Sequence, residues 1–269
     1  MEGKDAHFFQ MIHNKNLRIK IAKIVKNSGE GHIPSCFSIV DIVNFLYEKV
    51  LNIKANQPKW QNRDYFILSK GHGAGALYTV LEKNNFISSK DLDNYGSKIS
   101  ILGGHPDSTK IPGVEASTGS LGHGLPTAVG VAMGLKIKNM KNKVICLVGD
   151  GECHEGTIWE SANIGRNLNL GNLCVIVDWN GSASQLMPKD DLAKKWEAFG
   201  WETFQIDGHS NSDMEKLFTG LNFDLKSNPK AILAKTVKGK GVSFMEGHGK
   251  WHHKIPNDIE MEKILKELK

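Results

Sequence analysis

The chain has 269 residues, of which 40% are hydrophobic and 23% charged, an ordinary balance for one soluble globular domain with a full core. Its 34 basic and 29 acidic residues leave a net charge of +5, which favours phosphorylated substrates mildly and gives no case for nucleic-acid binding. No apolar run reaches the length of a membrane span, and residues 1–20 do not resemble a signal peptide. The sequence therefore predicts a single domain over residues 1–269, without nucleic-acid or membrane partners.

Apolar strand-like runs alternate with amphipathic stretches, without repeats or low-complexity linkers. In chain order, the pattern predicts helix 12–26, helix 39–51, strand 65–68, helix 125–138, strand 144–148, helix 157–168, strand 173–177, helix 190–199, strand 202–206, helix 212–221 and strand 231–234. This alternation is typical of an α/β fold with a doubly wound, mostly parallel sheet flanked by helices. The lysine-rich segments 136–143 and 263–269 are interpreted as solvated surface.

An acid and an amide follow two of these predicted strands. The Gly-Asp-Gly triplet at 149–151 follows strand 144–148, and Asn180 follows strand 173–177. Ligands of open α/β sheets bind outside the carboxyl ends of the strands. Carboxylate and amide oxygens suit Mg²⁺, and the glycines are expected to let the backbone turn sharply and approach a phosphate. The pattern predicts a site for a diphosphate carried on a divalent metal.

Other interpretations of the Gly-Asp-Gly triplet depend on the residues next to it. A lone Gly-Asp-Gly is usually a tight turn. The segment 149–154 lacks the third glycine of the dinucleotide fingerprint, and 151–157 lacks the lysine of a P-loop. The surrounding sequence therefore has to decide between a turn and a site.

Four sequence blocks resemble the thiamine-diphosphate motif and, more closely, the transketolase family. They are RDYFILSKGHG at 63–73, GGHPD at 103–107, GVEASTGSLGHGL at 113–125 and GDGECHEGTIWE at 149–160. The last block is followed by Asn180, thirty residues after Asp150. The matches run in family order from near residue 27 to residue 256. The resemblance implies a thiamine-diphosphate-binding fold of the diphosphate-binding type, with thiamine diphosphate and Mg²⁺ (or Ca²⁺ or Mn²⁺) as cofactors.

The resemblance also implies roles for particular residues. Those expected to contact the donor ketose and move protons are His32, His72 and His105. Those expected to bind the cofactor are Gly119, Leu121, His123, Gly149, Asp150, Gly151, Asn180 and His252. The expected metal ligands are Asp150, Asn180 and the backbone carbonyl of Ser182. Glu155 and Glu160 reproduce a family spacing and are expected at the subunit contact, with a role in assembly and proton linkage.

The histidines differ in their sequence context. His32, His72 and His105 lie between glycines or prolines, which predicts loops aimed by a rigid scaffold. Histidine suits reversible proton transfer because its pKa is ordinarily near neutrality. His7, His13 and His209 are interpreted as structural or surface residues.

Two segments depart from the family pattern. His253 follows His252 where related small subunits more often have glycine, and residues 33–36 (Ile-Pro-Ser-Cys) follow His32 where glycine or small residues are usual. Both departures bear on which sugar is used. His248 and His252 have a zinc-like i, i+4 spacing, but the glycines at 247 and 249 argue against the helix that such a site needs.

The resemblance implies transfer of a two-carbon ketol unit from a ketose (phosphate) to an aldose (phosphate). It places the activating glutamate in a pyrimidine-binding domain, and this domain and the C-terminal domain are expected on a separate C-terminal subunit, with two copies of each subunit. Half of another thiamine enzyme remains an alternative, either a 2-oxo acid dehydrogenase subunit or a deoxyxylulose-phosphate synthase half. A non-catalytic paralogue is a second alternative.

The cysteines bear on the compartment. The four cysteines show no CxxC spacing, and Cys146 and Cys174 fall inside predicted strands as small apolar residues. A reducing, cytoplasmic setting is expected.

Overall fold

The computed structural model of the chain describes residues 2–185, 187, 191–247 and 249–269, with side chains described from residue 14 onward except at 185. The helices are α1 (Glu2–Ser28), α2 (Ile33–Phe45), α3 (Ala74–Lys83), α4 (Ser89–Asp93), α5 (Gly124–Ile137), α6 (Gly156–Asn167), α7 (Leu192–Ala198), α8 (Asn211–Gly220) and α9 (Asp258–Leu268). Short turns of other helical types lie at Leu46–Val50, Gly71–Gly73, Gly151–His154 and Ala183–Gln185.

The strands form one parallel sheet. They are β1 (Tyr65–Leu68), β2 (Val144–Gly149), β3 (Leu173–Trp179), β4 (Glu202–Asp207) and β5 (Lys230–Lys235). Within the described residues the strand order is β1-β2-β3-β5-β4, and every neighbouring pair is parallel. All five predicted strands are present, and the predicted α/β fold is confirmed.

Helices cover both faces of the sheet, as a doubly wound fold requires. Alternate residues of the strands point to opposite faces, so each strand supplies two cores. One core packs the sheet against α1, α2, α3, α8 and α9. The other core packs it against α5, α6 and α7. The central strands β2 and β3 are therefore apolar on both sides, which explains their continuous hydrophobic sequences.

Several helices differ from the predictions. The helix predicted at 39–51 begins earlier, at Ile33, because Pro34 occupies a first-turn position that needs no N–H donor, and it ends in the π-helical turn Leu46–Val50. In the helix predicted at 190–199, Asp190 lies outside the described residues, and α7 begins at Leu192.

Helices α3, α4 and α9 were not predicted. Two of them begin with a capping box, Ser88 with Asp91 before α4 and Asn257 with Glu260 before α9. The lysines of 263–269 are exposed on α9, as expected for surface, while Ile264 is buried beneath them.

The remaining composition-based expectations concern cysteines and membranes. All four cysteines are free and buried, and Cys146 and Cys174 fill the sheet core as predicted. Among the described helices, none combines the length and apolar character that crossing a bilayer requires.

Candidate cofactor and active site

A cavity of about 590 Å³ opens at the carboxyl edge of the sheet. Because the strands are parallel, the residues that follow β1, β2, β3 and β5 meet at this edge. The predicted site residues that line the cavity are His32, His72, His105, Gly119, Leu121, Gly149, Asp150, Gly151, Asn180, Ser182 and His252. The predicted residues His123, Glu155 and Glu160 are not among the lining residues.

The turn after β2 is held in place by Glu152. Its carboxylate accepts hydrogen bonds from Gly149 N at 2.8 Å, Gly122 N at 2.9 Å and Ser69 Oγ at 2.6 Å. Only 2% of Glu152 is exposed, and burial raises its pKa against the opposing effect of these hydrogen bonds. Glu152 therefore ties the end of β1, the start of α5 and the Gly-Asp-Gly turn together.

The two glycines of the turn leave open space and do not adopt a special backbone conformation. Neither Gly149 nor Gly151 has a positive φ, so the turn does not depend on the left-handed conformation that favours glycine. A Cβ on Gly151 would meet no atom within 4 Å, and one on Gly149 would touch side-chain atoms only at 3.8 Å or beyond. This open space is what a ligand needs to approach the backbone closely.

Asp150 and Asn180 lie side by side after β2 and β3. Asp150 is 5% exposed, and its carboxylate accepts hydrogen bonds from Gly151 N at 2.8 Å and Ala183 N at 3.5 Å. Burial, and then the Asp178 carboxylate, raise the pKa of Asp150. Asn180 Oδ1 accepts from Ser182 N at 2.9 Å. The two side chains thus present a carboxylate and an amide oxygen at one edge of the cavity.

A buried ion pair lies beneath this edge. Asp178 has no exposed surface, and its carboxylate pairs with Lys70 Nζ and accepts from Thr236 Oγ1. Ser38 Oγ donates to it at 2.8 Å and Asn180 Nδ2 at 2.9 Å. Since Asp178 binds the amide nitrogen of Asn180, the amide oxygen of Asn180 is directed away from it.

A cluster of histidine rings, here called the histidine wall, forms another part of the site: His32, His72, His252 and His253. The ring centroid of His32 lies 5.4 Å from those of His72 and His252, and 4.6 Å from that of His253. His32 precedes α2 as its N-cap residue, and His72 lies in the short 3₁₀ turn Gly71–Gly73 rather than in the open loop expected. His105 is exposed at the rim of the cavity.

Burial keeps two of these rings uncharged. The pKa of His72 is lowered to about 2, first by burial and then by the charge of Lys70. The pKa of His32 is lowered to about 4, first by burial and then by the neighbouring His253 and His252. Both rings are therefore neutral at pH 7, which favours hydrogen bonding to a neutral sugar hydroxyl over ion pairing.

Lys238 adds a cation to the cavity. It is 8% exposed, and its Nζ lies 2.7 Å from His252 Nδ1. Burial, followed by the charge of Lys70, lowers its pKa to about 8, while Asp150 opposes this effect. The pKa of His252 is also lowered, by burial first and by Lys238 second.

The segment before α5 forms another side of the cavity. Gly119 lies against the His105 ring, and a Cβ on Gly71 would come within 2.9 Å of the Gly119 backbone, so these two loops pack closely only with glycine at 71. Leu121 is 49% exposed and lines the cavity. His123 is exposed, and its Nδ1 contacts the Leu121 carbonyl oxygen at 2.8 Å instead of lining the cavity.

Glu155 and Glu160 lie on the outside of the protein. Glu155 is the N-cap residue of α6 and Glu160 lies in its second turn, and both are exposed. His209, interpreted as structural or surface, is mostly buried, contacts Asp41 Oδ2 at 2.6 Å through Nδ1 and accepts from Val237 N at 2.9 Å. His248 lies outside the described residues, so the zinc interpretation stays untested. The side chains of His7 and His13 also lie outside the described part.

Sequence reasoning missed several residues of the site: Ser35, Ser69, Lys70, Glu152, Asp178 and Lys238. Ser69 and Lys70 stand inside the quoted block 63–73, and Glu152 follows the Gly-Asp-Gly triplet directly. These residues could be seen in the sequence, but the residues that they contact are distant along the chain. Lys70 and Asp178 are 108 residues apart.

The cavity fits a magnesium diphosphate. Its donor set combines a carboxylate and an amide oxygen from Asp150 and Asn180, which suits a hard cation that keeps phosphate oxygens and water as further ligands. Among the described residues, no group of three or more acidic, histidine or cysteine side chains is arranged to hold a metal ion, so a metal here would need those further oxygens. Ser35 Oγ and His32 Nδ1 line the cavity as buried atoms without a partner. Lys238 also lines the cavity and would supply positive charge for a diphosphate.

Comparison with known proteins identifies the family. Residues 10–268 match the family described as transketolase, thiamine diphosphate binding domain. The chain is 37% identical over 262 residues to an apulose-4-phosphate transketolase subunit of Phocaeicola vulgatus, covering 96% of this chain and 92% of that protein. It is 42% identical over 265 residues to the protein of the same name in Actinobacillus succinogenes, covering 95% of this chain and 94% of that protein.

A solved structure agrees with the sequence matches. Transketolase from Campylobacter jejuni superposes with a TM-score of 0.88 at 28% identity, covering 96% of this chain. The chain spans 42% of that transketolase chain. The chain therefore belongs to the transketolase family and matches its thiamine diphosphate binding domain.

Proposed function

We propose that this chain is the N-terminal subunit of a split transketolase. Together with a C-terminal subunit it transfers a two-carbon ketol unit from a ketose phosphate to an aldose phosphate. The observation that carries the proposal is the meeting of Asp150 and Asn180 after the neighbouring strands β2 and β3, in a cavity whose lining also includes the histidines. Two relatives named as transketolase subunits have about the length of this chain, which supports the split arrangement.

The cofactor site is proposed as follows. Asp150, Asn180 and the carbonyl of Ser182 hold Mg²⁺, or Ca²⁺ or Mn²⁺, which anchors the diphosphate. Lys238 and His252 face the phosphates, with the backbone of Gly149 and Gly151 close beside them. Thiamine diphosphate, when bound, supplies the carbanion chemistry that breaks a carbon–carbon bond next to a carbonyl.

The segment before α5 and the histidine wall contact the reacting end. The backbone of Gly119 and Leu121 holds the aminopyrimidine, and His123 supports this segment from outside the cavity through its contact with the Leu121 carbonyl. His32, His72 and His105 bind the hydroxyl groups of the donor and relay protons. Because His32 and His72 have depressed pKa values, they bind and pass protons as neutral imidazoles at pH 7, which differs from the near-neutral pKa expected from the sequence.

The partner completes the site. The activating glutamate and the bed for the pyrimidine ring come from the C-terminal subunit, which carries the pyrimidine-binding domain. The cavity is open in this chain alone, and Leu121 is half-exposed at its rim, which supports a second wall from another subunit. We propose two copies of each subunit, with Glu155 and Glu160 at the contact. The four buried free thiols support a reducing, cytoplasmic setting.

The substrate is proposed to be a phosphorylated sugar. Two relatives are named for apulose 4-phosphate, and the net charge of +5 favours an anionic substrate mildly. The departures at 33–36 and at His253 both border the histidine wall, where the donor would bind.

Reconstitution tests the proposal. The chain is mixed with its candidate C-terminal subunit, thiamine diphosphate and Mg²⁺, and ketol transfer between sugar phosphates is followed by mass spectrometry. We expect turnover by the pair, none by either protein on its own, and none with Asp150→Ala. Decarboxylation of a 2-oxo acid without ketol transfer would assign the chain to another thiamine enzyme. Cofactor binding without any turnover would identify a non-catalytic paralogue.

A further inference from the structure

His253 packs directly against His32 in the histidine wall. The ring centroids lie 4.6 Å apart with an interplanar angle of 61°, an edge-on contact. This is closer than the 5.4 Å that separates His32 from His72 and from His252. A glycine, which the resemblance to the family leads one to expect at position 253, would have no side chain to make this contact.

The orientation of the His32 ring depends on packing. Its Nδ1 atom is buried and has no hydrogen-bond partner among the described residues. A hydrogen bond at Nδ1 commonly fixes the tautomer and the plane of a functional histidine. Without one, the packing of the neighbouring rings fixes the plane of the His32 imidazole.

The charged groups around His32 all lower its pKa. The groups that face it are His105, His252 and His253, together with Lys238 and His72, and all of them are basic. After burial, His253 is the largest contributor to the lowered pKa of His32. A histidine at 253 therefore disfavours protonation of His32. A glycine at 253 would remove this effect and make protonation of His32 easier.

We propose that His253 is a positioning residue for His32, and that its ring holds the His32 imidazole at the angle at which Nε2 meets the donor sugar. This role rests on the proposed function, since it assigns His32 to the donor. His253 acts through His32 and needs no contact with the substrate. The donor pocket of this chain thus differs from that of a relative with glycine at this position.

Three variants separate packing, charge and loop flexibility. His253→Gly removes the ring and is expected to raise KM for the donor ketose three- to tenfold, about the value of one hydrogen bond, with kcat changed less. His253→Phe keeps an edge-on ring and is expected to restore KM to within about twofold. Lys250→Gly is the matched control, because it loosens the same loop and removes an exposed charge without touching His32.

An NMR titration gives a second readout that needs no turnover. Imidazole signals are followed in the isolated chain, with His32 assigned by His32→Gln. The pKa of His32 is expected to rise from about 4 by about 0.5 in both His253→Gly and His253→Phe, because a positive charge near it is lost. Lys250→Gly should leave it unchanged.

The outcomes distinguish this inference from the proposed function. A wild-type pair without ketol transfer would remove the proposed function, while the titration would still test the contact between His253 and His32. The inference is overturned if His253→Gly leaves both KM and the His32 pKa at wild-type values. It is also overturned if His253→Phe behaves like glycine in KM, or if Lys250→Gly raises KM equally. Should His253→Gly fail to fold, the phenylalanine variant decides alone.

Discussion

Asp178 organises the candidate site at the level of single residues without facing the cavity. It binds Lys70, Ser38, Thr236 and Asn180, which come from four separate parts of the chain. A buried carboxylate is stable only when a cation and hydrogen-bond donors compensate its lost hydration. Asp178 therefore fixes the amide of Asn180, and its own burial is stable only because Lys70 pairs with it.

Replacing Lys70 by methionine tests this dependence. The variant leaves Asp178 buried with three neutral donors and no cation, so we expect the free energy of unfolding to fall by about 3–5 kcal/mol. Lys20→Met is the control, because Lys20 pairs with Glu82 at 2.6 Å while 44% of its own side chain stays exposed, and its loss should cost about 0–1 kcal/mol. Urea denaturation measures both. Equal losses would show that the Lys70–Asp178 pair has no special role.

The same residues show how far sequence reasoning reaches. Asp150 and Asn180 were predicted because each lies within three residues of the end of an apolar run, and this signal is local. The partnership of Lys70 with Asp178 joins β1 to β3 across 108 residues, and only the strand order brings the two together. The burial that lowers the pKa of His72 has the same origin, since it depends on the packing of other segments around the ring.

At the scale of elements, helices α5 and α6 pack against each other and leave an apolar strip uncovered. Met133 and Ile137 lie four residues apart on α5, and they are 42% and 74% exposed. Ile164 and Leu168, at the end of α6, are 47% and 41% exposed. Glu160, four residues before Ile164, lies on the same side of α6. The strip and the predicted subunit-contact residue therefore share one surface.

A charge on this strip is expected to weaken assembly with the C-terminal subunit. Ile137→Asp with Ile164→Asp should raise the dissociation constant at least tenfold, because each change leaves a carboxylate in a surface that association buries. Unfolding stability should change little, since both side chains are exposed. Analytical ultracentrifugation of the mixed subunits measures the constant.

Ile99→Asp provides the comparison for this pair of changes. Ile99 is 83% exposed in the loop after α4, on another part of the chain. Its substitution should leave assembly unchanged. If it weakens assembly as much as the double variant does, the α5–α6 strip is not the contact surface.

Elements were predictable to the extent that their signals are periodic. The strands were found from apolar runs, but their order in the sheet has no local signal. Helix α9 was missed because its lysines were interpreted only as surface residues. Asn257 and Glu260 form a capping box at its start, and this signal is visible in the sequence. Helix α3 was missed because Ala74–Lys83 follows a conspicuous motif and eight of its ten residues are buried, so few polar residues mark an exposed face.

At the scale of the whole molecule, one chain supplies the proposed metal ligands, Lys238 and the histidine wall. The cavity of about 590 Å³ therefore already exists without a partner, although one side is open. Binding to such a site stabilises the folded chain, since the unfolded chain has no comparable site. The isolated chain should thus report cofactor binding through its stability, even though turnover requires the second subunit.

We expect thiamine diphosphate with Mg²⁺ to raise the thermal midpoint of the isolated chain. At a hundredfold excess over the dissociation constant the gain is about 2.7 kcal/mol, which corresponds to about 5–10 °C for a domain of this size. A chelator should abolish the rise, and so should Asp150→Ala, whereas Asp93→Ala, exposed on α4, should leave it intact. Scanning calorimetry measures the midpoint and titration calorimetry the dissociation constant. A midpoint that rises only once the C-terminal partner is present would contradict a preformed site, because the metal ligands of this chain would then depend on the partner for their arrangement.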